Sequence, residues 1–197
     1  MNLLLLGKIT GGGDRMTNLL ESVTGIFQTL SDPDPKPLMH VGEVMDAWKY
    51  LAFVQEIVVL EQIGRNMTTE KDLLEILDEA IKMCTSQSDE LKKFMEAEGI
   101  PLPSLPEDKP RSDPNAVPMG AKLTDVEIAN MLSTKLLVTV MECSRNMTEC
   151  IRNDIGAMWA KFHFEQAKLG AHAKNLMRKN GWLKIPPPYH PPGLLRN

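Results

Sequence analysis

The stretch Arg65-Asn66-Met67-Thr68 recurs as Arg145-Asn146-Met147-Thr148, and residues 92–99 resemble residues 174–181. The copies are separated by 80 residues at the first landmark and by 82 at the second. Self-similarity at a nearly fixed interval is the signature of a repeated structural unit. The sequence therefore predicts two similar α-helical hairpins, in which Arg65 and Arg145 occupy related positions.

Composition places this chain among all-α proteins. Leu, Met, Ala, Glu and Lys dominate, and only 5% of the 197 residues are aromatic. A chain of this length can bury the core of one full domain. The net charge of −4 argues against general nucleic-acid binding. Residues 161–197 carry seven Lys or Arg against one Glu, which we interpret as compensation of a helix dipole and a solvated surface.

The three cysteines form no CxxC pair, which is typical of a reducing compartment. Cys143 and Cys150 are seven residues apart, so we expect them to pack on one face of a helix. The apolar run at residues 1–6 is too short for a signal peptide or a membrane span. We therefore expect no stable membrane insertion and a cytoplasmic location.

Four helices are predicted from apolar residues at helical spacing and from capping signals. They run from about Met39 to Gly64, from Thr69 to Glu98, from Thr124 to a turn near Asn146 or near Asn153-Asp154, and from that turn to Asn180. Neither position of the last turn is favoured, since no Gly or Pro lies there. Thr124 and Glu127 predict a capping box, and Trp48 is expected to be buried on the apolar stripe of the first helix.

Residues 100–122 contain six prolines and predict an extended crossover. Its apolar residues are expected to dock at intervals: Ile100, Leu102, Leu105, Val117 and Met119. At roughly 3 Å per residue the segment can return along a helix of about 40 Å. The second and third helices are then parallel, which predicts a ferritin-like up-down-down-up four-helix bundle with one long crossover.

The bundle is expected to span residues 37–182. Residues 1–36 are interpreted as a leader with a short amphipathic helix that begins at Met16. Codons that could encode residues 12–16 contain a ribosome-binding sequence, so our hypothesis is that translation starts at Met16 and that residues 1–15 are a mis-annotated start. Residues 183–197 form a proline-rich tail, and we expect it to lie back along its own bundle rather than to bind a partner.

Bundles with a dinuclear metal centre use Glu-x-x-His pairs, and this chain contains none. His40 and Glu43 have the reverse order at a helix start, where capping or contact with solvent is the expected role. Glu56, Glu142 and His163 are the mid-helix candidates for a sparse metal site. We expect instead that His163 is hydrogen-bonded, that both carboxylates face solvent and that apolar side chains fill the bundle centre. No catalytic, cofactor or metal residue is therefore predicted.

Arg152 and Asp154 are two residues apart and cannot share a helix face. They therefore need not pair with each other. If the chain turns at this point, Asp154 is expected to cap the fourth helix, and Arg152 is expected to bridge to a neighbouring helix.

Four motifs occur in the order seen in a known bacterial family: Met39-His40-Val41-Gly42-Glu43-Val44, Glu98-Gly99-Ile100-Pro101, Arg152-x-Asp154, and Gly181 followed by Pro186-Pro187. Over residues 33–190 the chain resembles the family catalogued as domain of unknown function 3231. The resemblance implies a ferritin-like four-helix bundle from a spore-forming Gram-positive bacterium, in a family whose members are often labelled as spore coat proteins. It implies a spore-associated location as the alternative to a cytoplasmic one. It supplies no catalytic residues.

The resulting functional prediction is a non-enzymatic structural or assembly protein, associated with the spore coat. Its expected partners are other proteins or further copies of the chain, and no cofactor is expected. The alternative is a ferritin-like metal-binding oxidoreductase or metal carrier with a degenerate site.

Overall fold

The computed structural model describes residues 21, 22, 25, 32–189 and 191. Within these residues there are no strands, and the helices are α1 (Val41–Arg65), α2 (Lys71–Ala97), a short 3-10 helix (Pro114–Ala116), α3 (Asp125–Glu149) and α4 (Asn153–Lys179). The all-α prediction is confirmed. Of the predicted N-terminal amphipathic helix, residues 21, 22 and 25 are helical, and the rest of that prediction lies outside the described residues.

The helices form an up-down-down-up bundle, as predicted. The start of α1 meets the end of α3, where Glu43 Oε1 accepts a hydrogen bond of 2.8 Å from the backbone N–H of Ile151. The start of α2 meets the end of α4 through an ion pair between Asp72 and Lys179. Each of these pairs is therefore antiparallel. The parallel helices α2 and α3 lie diagonally across the bundle and are joined by the long crossover.

The two hairpins match in helix length, with 25 and 27 residues in each. Their short motifs do not match in position, and the prediction for Arg65 and Arg145 is wrong. Arg65 is the last residue of α1, whereas Arg145 lies one turn before the end of α3. The difference arises at Asn66, which leaves the helix and binds the crossover through Pro110 O at 2.8 Å. The equivalent Asn146 stays helical.

Trp48 lies outside the core, contrary to prediction, and is 40% exposed. The buried stripe of α1 is centred instead on Ala47, Leu51, Val54 and Val58. Position 48 is about 100° around the helix from position 47, because an α-helix has 3.6 residues per turn. The α1 sequence is apolar nearly all round, so its pattern does not distinguish the inward stripe from the outer one.

Polar anchors and partial apolar docking both hold the crossover on the bundle. The Gln62 side chain donates to Asp108 Oδ1 at 2.8 Å and accepts from the Lys109 N–H at 2.7 Å. Of the residues expected to dock, Ile100 is buried and Leu102 and Val117 are half-buried. The other two, Leu105 and Met119, are exposed, so the prediction that they dock is wrong.

The helix boundaries agree with most of the predicted signals. Thr124 and Glu127 form the predicted capping box. The turn between α3 and α4 spans residues 150–152, which is the alternative near Asn153-Asp154. Thr69 does not open α2, since Glu70 is its N-cap and accepts from the N–H groups of Asp72 and Leu73.

The tail packs on the bundle only at its start. Gly181 ends α4 with a φ of +71°, and the half-buried Trp182 and Leu183 contact the apolar cluster of α2, α3 and α4. Residues 184–189 are all exposed, so the described part of the tail does not lie back along the bundle as predicted. Residues 186–188 are prolines, so they have no backbone N–H groups that could bind the tail to the bundle.

Candidate functional site

Two polar clusters stand out in the bundle. The first, here called the end clasp, joins the residues before α1, the end of α2 and the start of α4. The second, called the central layer, crosses the middle of the core. The end clasp consists of Asp32, Glu43, Glu98, Arg152 and Asp154.

Arg152 is the centre of the end clasp and is only 3% exposed. Its guanidinium donates to both carboxylate oxygens of Glu98, at 2.8 and 2.7 Å, and to both of Asp154, at 3.0 and 2.7 Å. It also lies 5.9 Å from the centroid of the Phe94 ring. Two carboxylates thus neutralise one buried cation by paired, bidentate hydrogen bonds.

Arg152 and Asp154 pair with each other, although their spacing in the sequence does not require it. Arg152 precedes the first turn of α4, so the two side chains are not constrained by helical spacing. The hydrogen bonds from Arg152 lower the pKa of Asp154 to about 2 and also lower the pKa of Glu98. The expected bridge from Arg152 to a neighbouring helix is confirmed by Glu98 of α2.

Asp32 and Asp154 both cap α4. Asp154 Oδ1 accepts from the Ile155 N–H at 2.9 Å, in agreement with the capping role expected for it. Asp32 binds the two preceding N–H groups. Its Oδ1 accepts from the Asn153 N–H at 3.0 Å, and its Oδ2 accepts from the Asp154 N–H at 3.2 Å. Lys36 lies in the same segment and pairs with Asp154 at 2.8 Å. A negative side chain at a helix start satisfies free N–H groups and interacts favourably with the dipole. The segment before α1 is thereby attached to α4.

The motif around His40 forms the N-terminal cap of α1. His40 Nδ1 accepts from the N–H groups of Gly42 and Glu43, and Glu43 Oε2 accepts from the His40 N–H. A Cβ at position 42 would lie 2.7 Å from His40 Cε1, so glycine leaves the space that the imidazole occupies. The other oxygen of Glu43 accepts from the N–H groups of Ile151 and Arg152. The capping role expected for His40 and Glu43 is confirmed.

The motif at the end of α2 completes the clasp. Gly99 has a φ of +71°, which L side chains rarely adopt, and the Ile100 N–H returns to Met95 O at 2.8 Å. Ile100 is then buried in the core. Three of the four motifs found in the sequence therefore meet at one end of the bundle, and their polar groups bind one another.

The central layer separates two apolar clusters in the core. It contains one ion pair, two amides, a hydroxyl, a thiol and a phenol. Its members are Tyr50, Glu61, Cys84, Gln87, Lys135, Thr139 and Gln166.

Lys135 is buried in this layer and lies 2.9 Å from Glu61 Oε1. Its ammonium also donates to Cys84 Sγ at 3.1 Å and to Gln166 Oε1 at 3.5 Å. Burial raises the pKa of Cys84 to about 11, so the thiol is neutral and Glu61 is the counter-charge. Burial also raises the pKa of Glu61, although the attraction of Lys135 opposes that rise.

Gln166 and Gln87 extend the layer across the bundle. Gln166 Nε2 donates to Gln87 Oε1 at 3.0 Å, and Tyr50 OH donates to the same oxygen at 3.0 Å. Thr139 Oγ1 donates to Gln166 Oε1 at 3.1 Å, and Gln87 Nε2 donates to Glu165 Oε2 at 2.8 Å. Burial raises the pKa of Tyr50 well above its ordinary value, so the phenol stays protonated.

The prediction that apolar side chains fill the bundle centre is therefore wrong. A signal in the sequence was available: Lys135 and Gln166 share the inward faces of their helices with Leu132 and Leu169. A polar residue in an apolar stripe at helical spacing is a candidate for a buried, hydrogen-bonded group. Metal-binding motifs do not reveal this layer, because those motifs contain neither amides nor lysine as ligands.

The three mid-helix candidates for a metal site are placed outside the central layer. Glu56 is exposed, and Glu142 pairs with Arg145 at 2.6 Å. His163 is half-buried, with Nδ1 3.2 Å from Val140 O, as expected for a hydrogen-bonded histidine. Within the described residues, no group of three or more His, Cys, Asp or Glu side chains could hold a metal ion.

The cysteines are free thiols. Cys143 is buried, and burial raises its pKa to about 12. Cys150 lies just beyond α3 as its C-cap, so the two cysteines do not share a helix face as expected. Neither thiol has the lowered pKa that nucleophilic cysteines require.

Comparison with known proteins agrees with the motifs. The model of the family described as Protein of unknown function (DUF3231) matches residues 29–195. This chain belongs to that family. The uncharacterized protein YvdQ of Bacillus subtilis (strain 168) is 32% identical over 159 residues, which cover 81% of this chain and 92% of YvdQ.

A solved structure has the same fold. It is the crystal structure of a candidate spore coat protein from Bacillus halodurans C-125, with a TM-score of 0.76 and 31% identity. The match covers 81% of this chain and 99% of that protein. In the described part of this DUF3231 protein, no helix is long and apolar enough to cross a membrane.

Proposed function

We propose that this DUF3231 protein is a non-enzymatic structural or assembly protein of the bacterial spore coat. The observation that carries the proposal is the similarity in both fold and sequence to the candidate spore coat protein of Bacillus halodurans. Membership of the DUF3231 family also supports a spore-associated role.

The chemistry of the two polar clusters supports an assembly role. In the end clasp, Arg152, Glu98 and Asp154 bind one another, so their charges hold the helix ends together. In the central layer, the amides and the phenol are hydrogen-bonded mostly among themselves. Neither cluster contains a nucleophile with an adjacent base, which covalent catalysis requires.

The surface offers material for protein contacts. α3 carries a row of exposed apolar side chains, and the described tail from residue 184 to residue 189 is exposed and rich in proline. Extended proline-rich segments dock readily on aromatic-lined grooves, because little conformational entropy is lost. We therefore propose other coat proteins, or further copies of this chain, as the partners and propose no nucleic-acid partner.

Localisation during sporulation tests this proposal. A fluorescent fusion of the chain would be produced in sporulating Bacillus subtilis, and mature spores would be fractionated into coat and core. The proposal expects a fluorescent shell around the forespore and recovery of the fusion in the coat fraction. A fusion that stays diffuse in the mother cell and is missing from purified spores would contradict it.

The alternative function is a ferritin-like metal-binding oxidoreductase or metal carrier. Its support is the bundle topology with one long crossover. The residues of the central layer argue against it, since the Lys135 ammonium lies beside Glu61 and would repel a cation there. The metal content of the purified chain separates the two functions.

A further inference from the structure

A small cavity lies between α1 and α3, directly beside the ion pair of the central layer. Its volume is about 40 Å³, and its polar end is formed by Glu61 and Lys135. The remaining wall is apolar and is contributed by Ile57, Leu60, Gly64, Leu77, Leu123, Ile128, Met131 and Leu132. Toward the surface it meets a groove that shares Ile57, Leu123, Met131 and Lys135 with it and continues past Phe53 and Val138.

Glu61 is the unsatisfied group in this cavity. The residue is 6% exposed, and its Oε2 has no hydrogen-bond partner among the described residues. Oε1 has a single polar contact, the ion pair with Lys135 Nζ at 2.9 Å. A buried carboxylate oxygen without a hydrogen-bond donor lowers the stability of the fold, and native proteins rarely contain one.

Lys135 has no hydrogen to spare for a further partner. Its three donors face Glu61 Oε1, Cys84 Sγ and Gln166 Oε1. The atom left without a hydrogen-bond partner at the polar end is therefore an acceptor, Glu61 Oε2. A complementary ligand must donate a hydrogen bond, and a neutral hydroxyl can do so without bringing a further charge into a buried site.

Water satisfies the polar end but not the rest of the cavity. A cavity of about 40 Å³ has room for a water molecule, and an ordered water needs two to four polar partners. Beyond Glu61 and Lys135 the walls are aliphatic. An alkyl chain gains free energy by burying apolar surface along those walls and along the groove outside.

We propose that this cavity and groove bind a linear aliphatic alcohol. Its hydroxyl donates to Glu61 Oε2, its first carbons fill the cavity, and its chain lies between α1 and α3 along Phe53 and Val138. This ligand class goes beyond the proposed coat function and is independent of it.

Two isomeric probes test the donor requirement. The full chain would be titrated with 1-hexanol and with 1-methoxypentane, and binding would be followed by calorimetry and by ligand-observed NMR. Both probes have the same atoms, but only the alcohol donates a hydrogen bond. We expect 1-hexanol to bind about tenfold more tightly, which corresponds to one hydrogen bond to a charged acceptor.

Three variants locate the site. Glu61→Met/Lys135→Met removes both charges with little change in volume, a replacement that buried ion pairs usually tolerate. The preference for the alcohol should then disappear, whereas alkyl binding should remain. Met131→Lys introduces a charge at the groove wall and should weaken binding of both probes about tenfold. Leu137→Lys is the matched control on α3, since residue 137 is 61% exposed and lines neither cavity nor groove.

Four results would overturn the proposal, and the first three concern the wild-type chain. They are equal affinity of the wild-type chain for the two isomers, no binding of either, and a crystal structure soaked in 1-hexanol that shows only water at Glu61. Equal weakening by Met131→Lys and Leu137→Lys would also overturn it, because the alkyl chain would then not lie in the groove.

Discussion

Arg152 illustrates what one side chain contributes to this bundle. It is held by two carboxylates at the junction of three segments, so the loss of either acid leaves a buried cation with half of its partners. Its pairing with Asp154 could not be inferred from sequence spacing, because the helix begins between the two residues.

Asp154→Asn is expected to lower the free energy of unfolding at neutral pH. The pKa of Asp154 is about 2 in the folded chain and 3.8 ordinarily, so the unfolded chain binds more protons in that range. The stabilisation is fully present above 3.8 and is lost as the pH falls toward about 2. The stability difference between wild type and variant should therefore shrink over this window in urea melts. Asp89→Asn, on the exposed surface of α2, is the control, and a difference independent of pH would contradict the assignment.

Trp48 and Trp159 form a matched pair of substitutions. Trp159 is buried against Tyr50, with ring centroids 5.0 Å apart, whereas Trp48 is exposed. Trp159→Ala should cost about 3–5 kcal/mol through cavity formation, and Trp48→Ala less than about 1 kcal/mol. Denaturant midpoints measure both. A larger effect at Trp48 would restore its predicted place in the core. The sequence pattern could not show that Trp48 is exposed, because α1 is apolar on both faces.

At the scale of the element, capping chemistry was the most predictable feature. Thr124 and Glu127 were identified as a capping box from spacing alone, since the box has a fixed interval of three residues. The cap formed by His40 has the same interval but an imidazole acceptor, and its geometry needs the glycine at position 42. The cap of α4 is predictable only in part: Asp154 is local and accepts from the Ile155 N–H, whereas the second acceptor, Asp32, is distant in sequence.

Gly42→Ala tests the His40 cap. The new Cβ would displace the imidazole and should cost about 1 kcal/mol, although alanine is the better helix former. In a His40→Ala background the same change should stabilise the helix by up to about 1 kcal/mol. Gly170→Ala is the control in α4, since no atom lies within 4 Å of its Cβ position, and it should stabilise in either background. Stabilisation by Gly42→Ala in the wild type would show that the cap does not depend on this space.

At the scale of the whole molecule, topology followed from the proline-rich crossover and from helix length. The segment between α2 and α3 contains six prolines and is therefore extended. It is long enough to return along the bundle, which makes α2 and α3 parallel. The central layer did not follow, because burial of Lys135 depends on partners from three other helices. Local pattern carries no information about such partners.

Truncation after Leu183 tests the role of the tail. Residues 184–189 are exposed, so their removal should change the free energy of unfolding by less than about 0.5 kcal/mol. Recovery of the chain in the spore coat fraction should fall if the tail binds a partner. Truncation before Trp182 is the comparison, since Trp182 and Leu183 pack on the bundle and their loss should lower stability. A truncated chain that assembles normally would exclude the tail from assembly.

Side chains of the central layer, rather than metal ions, occupy the centre of the bundle. Metal analysis of the chain, purified without chelator and without a metal-affinity tag, tests it most directly. A dinuclear centre would need several carboxylates, whereas the layer supplies Glu61 with its own counter-charge, Lys135. We predict iron, manganese and zinc far below one ion per chain and no ferroxidase activity. One or two tightly bound ions per chain, lost on Glu61→Gln, would contradict the account.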